Sequence, residues 1–206
     1  MGNRIHFREK IPSRNFSRIY SDYKRYKKPL CIDFDNKCGY CGDYDFWSGG
    51  PHSYHIDHFA PKSKFDSLKN VYSNLVYCCP YCNRYKSNDW VSDDPKINIL
   101  GDKGYIDPCD KAYDNAFDRN SSGEILFKNR IGEYMYFKMK FHLKRHSIIY
   151  KLSTIFKLMD ELREELDRSD LEEENKKNIK QVYLDLSLEF NKYLKYLMGE
   201  HAYARK

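Results

Sequence analysis

Two Cys-x-x-Cys pairs, Cys38-Gly-Tyr-Cys41 and Cys79-Pro-Tyr-Cys82, stand in the chain with 37 residues between them. Each pair can turn two thiolates toward one ion, and two pairs complete a tetrahedral four-sulfur shell suited to Zn²⁺. That shell is closed, with no position left for water, so the ion it holds would be structural. A redox dithiol is the rival reading, but that motif comes singly on a βαβ unit, and no such unit is legible near either pair. The seven cysteines are an odd number, which argues against a disulfide framework. Cys31, Cys78 and Cys109 are left over and read as buried thiols.

Between the pairs lies His55-Ile-Asp57-His58, followed by Pro61-Lys62, and after the second pair comes Asn83-Arg84-Tyr-Lys86. These residue types suit hydrolysis of a phosphodiester. The reaction needs an activated water and neutralisation of charge on the phosphoryl and leaving oxygens. His58 is the natural base near neutral pH, and a hard cation such as Mg²⁺ takes oxygen ligands. Adjacent at a strand end, Asp57 and His58 would project to different sides, one toward the ion and one toward the water. Asn83 offers an uncharged carbonyl oxygen from the start of the following helix. Lys62, Arg84 and Lys86 are candidates for phosphate contacts, with solvated surface as the alternative. His55 reads as a polar strand residue, and His142 with His146 is a weak metal signal because no carboxylate accompanies the pair at motif spacing.

Asp57-His58, Pro61, Asn74-Leu75 and Cys79-x-x-Cys82-Asn83-x-x-Lys86 together resemble the HNH nuclease family in order and spacing. The resemblance covers about Cys38 to Asn88. It implies a ββα-metal fold, two strands and a helix around one ion. It further implies His58 as general base, Asp57 and Asn83 as ligands of the catalytic Mg²⁺ or Mn²⁺, and Asn74 as the side chain tying the loop that orients His58. Asn83 departs from the usual third His of that family, which shifts the metal preference toward Mg²⁺ or Mn²⁺. More widely, the arrangement is similar to HNH nucleases of bacterial anti-phage systems, the nuclease subunit of Septu-like systems in particular, which implies an ATPase partner subunit.

These residues need elements to hold them. The spacing of Phe16, Ile19, Tyr20, Tyr23 and Tyr26 predicts a basic helix from Asn15 to Lys28 stopped by Pro29. Residues 31–90 are short and turn-rich, as a metal-held module should be. Residues 91–130 read as a loop-rich wrap with one strand at Glu124–Lys128. From 131 to 206 the period is helical. Ile148, Leu152, Ile155, Met159, Leu162 and Leu166 form one stripe. Ser169-Asp170-Leu171-Glu172 reads as a capping box opening a second helix that ends at Gly199. The fold class expected is α+β: a zinc-stabilised core, a basic N-terminal helix and a C-terminal α-helical hairpin.

Charge is uneven. The chain of 206 residues carries 36 Lys and Arg against 30 Asp and Glu, and residues 1–30 alone hold nine basic and two acidic side chains. Asp160–Glu174 has nine acids and two bases, an unfavourable surface for DNA. A mean hydropathy of −0.84 and the lack of a long apolar run predict a cytoplasmic protein without a membrane span. The functional expectation is a metal-dependent DNA endonuclease whose C-terminal helices dock a partner or a second copy. The alternative is a non-catalytic, zinc-dependent nucleic-acid or partner-binding module.

Overall fold

The computed structural model describes residues 4–168 and 171–203. They form two compact units, Met1–His146 and Ser147–Lys206. The first unit carries strands β1 (Arg4–His6), β2 (His55–His58), β3 (Leu75–Cys78), β4 (Ile99–Leu100), β5 (Lys103–Gly104), β6 (Phe117–Asn120) and β7 (Ile125–Phe127). Its helices are α1 (Lys27–Asp33), α2 (Pro80–Lys86), α3 (Lys111–Ala116) and α4 (Arg130–Lys138). Helix α5 (Lys144–Leu166) begins there and continues into the second unit, which also holds α6 (Glu173–Tyr203). Among the described residues no helix is long and apolar enough to cross a membrane.

The centre of the first unit is the antiparallel pair β2–β3, registered His55↔Cys78, Ile56↔Tyr77, Asp57↔Val76 and His58↔Leu75. All four β3 residues are buried, whereas β2 goes from exposed His55 to buried Asp57 and His58. Helix α2 follows directly from β3 and packs back on β2. Around this pair the core is built largely from tyrosines whose rings are buried and whose hydroxyls all find partners. Tyr40 donates to Asp57, Tyr54 to the Asp43 carbonyl, Tyr77 to Asp45, Tyr105 to Asp89 and Tyr113 to the Tyr40 carbonyl. Such side chains combine large apolar area with a satisfied polar tip.

The basic N-terminal helix is not formed. Residues 10–20 run in irregular backbone, and only a 3-10 turn at Tyr23–Tyr26 precedes α1. The aromatic spacing serves a different purpose, since Phe16, Tyr20 and Tyr26 pile against Tyr72 at centroid separations of 4.9–6.0 Å. Amides that a helix would have paired are taken by side chains: Asn15 and Phe16 donate to Asp33 Oδ2, and Tyr20 donates to Tyr26 Oη. Ile19, assigned to the apolar stripe, is 88% exposed. Pro29 does not stop a helix but lies in the first turn of α1, where its missing N–H costs no hydrogen bond.

Residues 91–130 carry more regular structure than a wrap. Strands β1, β6 and β7 form one antiparallel sheet, with β6 in the middle, and β4–β5 form a small pair. Strand β6 escapes a hydrophobic-alternation reading because its second inward position is Arg119. That guanidinium is buried and donates to the carbonyls of Phe7, Gly123 and Cys41. Helix α4 also belongs to the first unit rather than to a C-terminal domain starting near 131. Its Gly132 lies so close to Ala116 that a Cβ would sit 2.5 Å from the carbonyl oxygen, and its Met135 sulfur accepts the Ile106 amide.

In the second unit, α5 and α6 meet at Lys151–Tyr193 and Phe156–Phe190, rising along one helix while falling along the other, as antiparallel partners do. Ile148, Leu152, Ile155 and Leu197 are buried. The expected capping box falls on residues 169–170, outside the described residues, and α6 runs through Gly199 instead of ending there.

Candidate functional site

The four cysteine sulfurs of Cys38, Cys41, Cys79 and Cys82 all lie within 4.8 Å of one another, and all four side chains are buried. Local backbone makes each half. After α1 the chain closes a turn in which the Cys38 amide donates to the Asp43 carbonyl and the Gly42 amide to the Cys38 carbonyl, with Gly42 at φ +74°. Gly39 leaves room for this turn, because a Cβ there would meet Phe34 at 2.7 Å and Val76 at 2.9 Å. Cys79 caps the start of α2, its sulfur accepting the Cys82 amide at 3.3 Å, with Pro80 next in the first turn.

This donor set fits zinc. A tetrahedron with Zn–S bonds of about 2.3 Å has S···S edges of roughly 3.8 Å, and Cys41 and Cys79 sulfurs stand 3.7 Å apart. None of the cysteines is in a disulfide. Burial pushes the Cys41 and Cys82 thiols well up, while at Cys38 the bonds from Cys41, Cys79 and Cys82 outweigh burial and bring it down. Zn²⁺ binds cysteines as thiolates, so loading the site releases protons. Of the remaining cysteines, Cys31 and Cys78 are buried and Cys109 is half-buried, with burial pushing its thiol up to about 12.

On the other side of β3, Asp57 and His58 end β2. Asp57 Oδ2 accepts from Tyr40 Oη at 2.6 Å and lies 3.1 Å from Lys86 Nζ. Lys86 also donates to the His58 carbonyl at 3.0 Å and is wholly buried. The expectation that Lys86 reaches a phosphate is therefore wrong: three residues beyond Asn83 on the inner face of α2, its ammonium is locked onto β2. Lys62 and Arg84 are exposed.

His58 Nε2 stands 2.9 Å from the Lys69 carbonyl. Since a carbonyl only accepts, Nε2 carries the proton and Nδ1 keeps its lone pair. Burial lowers the imidazole pKa below the usual histidine range, and the nearby Lys62 charge adds to that, against opposing contributions from the Lys69 carbonyl and Asp57. The ring is thus neutral at neutral pH. Asn74 ties the loop that brings Lys69 into place. Its Oδ1 accepts the Ala60 amide, its Nδ2 donates to the carbonyls of Ala60 and Leu68, and its own carbonyl accepts the Phe59 amide. Asn83 sits half-buried in α2, at i, i+3 from Lys86 and hence on the same side of the helix.

Three participants had no signal in the chain. Tyr40, in the middle of the first cysteine pair, points its hydroxyl at Asp57. Lys69 supplies a main-chain oxygen, which no side-chain pattern reveals. Tyr23 comes from a distant segment to place its ring edge-on to His58 at 4.8 Å. His142 and His146 do not converge. His142 lies by Tyr136 and Phe137, and His146 Nδ1 is 2.8 Å from Asp43 Oδ2.

Residues 38–89 match the HNH endonuclease family model, so the chain carries a domain of that family. A curated relative, "Septu protein PtuA" of Bacillus mycoides (strain KBAB4), is 28% identical over 123 residues, 48% of this chain. The match covers 16% of that relative, so the chain spans about a sixth of its length. No solved structure matches.

Proposed function

From this HNH endonuclease domain we propose that the protein hydrolyses DNA phosphodiester bonds with a divalent cation, His58 acting as general base. The observation that carries the reading is the His58 ring itself: Nε2 is engaged by the Lys69 carbonyl, Nδ1 keeps its lone pair, and burial keeps the ring unprotonated. A base in that state takes a proton from water as the water attacks phosphorus, and the P–O3′ bond breaks to leave 5′-phosphate and 3′-hydroxyl ends. Asp57 and Asn83 supply the hard oxygen donors that Mg²⁺ or Mn²⁺ prefers. Both close contacts to Asp57 fall on Oδ2, which leaves Oδ1 as the oxygen for the cation. When bound, the cation neutralises charge on the phosphoryl and leaving oxygens. Lys86 and Tyr40 hold the Asp57 carboxylate in place, and Asn74 holds the loop that sets the His58 tautomer. Zn²⁺ at the four cysteines is structural in this reading.

The similarity to a Septu protein supports a role in anti-phage defence with a partner protein, an ATPase subunit in our reading, in the cytoplasm. The C-terminal helices are the surface we assign to the partner or a second copy.

One observation favours a second reading, a zinc-held binding module without catalysis: Asp57 is already neutralised by a buried lysine. Incubating the purified full chain with plasmid DNA and structured RNA, in Mg²⁺, Mn²⁺ or EDTA, separates the two. Divalent-dependent DNA cutting supports the nuclease, and DNA binding without cutting in any metal supports the module.

A further inference from the structure

We propose that Tyr23 and Lys62 form a clamp for a DNA backbone phosphate, set against the ring of His58. The inference rests on the nuclease reading, and it joins Lys62, a phosphate-contact candidate from the sequence, to Tyr23, which lies outside the cysteine and HNH motifs. A cleft of about 420 Å³ is lined by Asp22, Tyr23 and Lys24 from the N-terminal segment and by Lys62, Asp66 and Lys69 from the loop after β2. That is at the small end of the roughly 300–1,000 Å³ typical of ligand sites, with room for one phosphate and its sugars. Three lysines and two aspartates line it, and Asp22 Oδ1 is engaged with the Lys24 amide.

Tyr23 is the hinge between this cleft and the base. Its ring edge meets His58 at 4.8 Å, and its amide is fixed by Asn70 Oδ1 at 3.0 Å. Lys62 Nζ donates to Tyr23 Oη at 2.8 Å and lies 4.4 Å from the ring centroid. An ammonium has three protons and uses one here, and the phenol that accepts from Lys62 keeps its own proton to give. The pair thus presents converging donors, one of them charged, as a phosphate requires. Lys62 is bonded to the phenol whose ring meets His58, so a phosphate held by the pair lies near the base. Lys69 joins both sides, since its carbonyl meets His58 and the residue lines the cleft.

The test is fluorescence anisotropy of a short labelled DNA duplex with the full chain in EDTA, over a salt series, for wild type, Tyr23→Phe and Lys62→Ala, with melting temperatures alongside. Lys62→Ala should weaken binding and flatten the log–log salt slope by about 0.9, one phosphate contact. Tyr23→Phe keeps the ring on His58 and should weaken binding by about fivefold, the loss of one hydrogen bond, and in a parallel cleavage assay in Mg²⁺ should raise KM more than it lowers kcat. Changed melting with unchanged affinity and salt slope in both variants would overturn the clamp in favour of a purely structural contact. Tighter binding of single-stranded RNA than of the duplex would overturn the choice of DNA, and a wild type that binds neither would overturn clamp and nuclease together. A wild type that binds the duplex but cuts nothing in Mg²⁺ or Mn²⁺ fails the nuclease reading alone, and the salt series still decides the clamp.

Discussion

Lys86 Nζ lies 3.1 Å from Asp57 Oδ2 and 3.0 Å from the His58 carbonyl oxygen, with no part of the lysine exposed. One buried cation therefore fixes both residues at the end of β2 to helix α2. Removing it leaves Asp57 as an uncompensated charge in the core. Lys86→Met should destabilise the fold by about 3–5 kcal/mol, measured by urea unfolding. Adding Asp57→Asn to Lys86→Met should recover part of the loss, and additive losses in the double variant would contradict a direct pair.

Asn74 makes three side-chain hydrogen bonds to the loop that carries Lys69. Asn74→Ala should cost about 1–3 kcal/mol, because buried main-chain groups at Ala60 lose their partners. Cleavage should fall more than DNA affinity, since the Lys69 carbonyl no longer sets the His58 tautomer. Rates and anisotropy measured on the same preparation check this.

The pH dependence follows from the sign of the His58 shift. Burial lowers its pKa from the ordinary 6.5, so the ring loses its proton at a lower pH than a free histidine and is ready as a base sooner. The cleavage rate should rise through an apparent pKa below 6.5 and be level by neutrality. An acidic limb centred at or above 6.5 would contradict the assignment.

Metal content tests the cysteine site independently of activity. The purified chain should hold one Zn²⁺ by elemental analysis, and Cys79→Ser should lose most of it together with cooperative melting. Cys109→Ser, at a half-buried thiol outside the cluster, should retain the ion.

Legibility in the chain followed the range of the interactions. Cysteine pairs, a strand ending at Asp57-His58 and a helix after Cys79 are short-range signals with little freedom in three dimensions, and the four sulfurs converge as their spacing suggests. The N-terminal segment misled because a three-to-four spacing of aromatics also suits an irregular chain that stacks rings on Tyr72, with Asp33 and Tyr26 taking its amides. Lys86 misled for another reason. A lysine in a polar helix reads as solvated, and it is the Asp57 carboxylate and the His58 carbonyl that make its burial favourable. Arg119 hid β6 in the same way. Tyr23 was beyond reach because its place beside His58 depends on tertiary packing between segments 35 residues apart in sequence.

The central claim is that His58 activates water for phosphodiester hydrolysis. Its most direct test is the initial rate of plasmid cleavage in Mg²⁺ by wild type and His58→Ala, each shown to be folded and to carry zinc. The account predicts cleavage by wild type and a loss of about 10²–10⁴-fold in the variant, with DNA affinity retained. Cleavage by His58→Ala at the wild-type rate would contradict it.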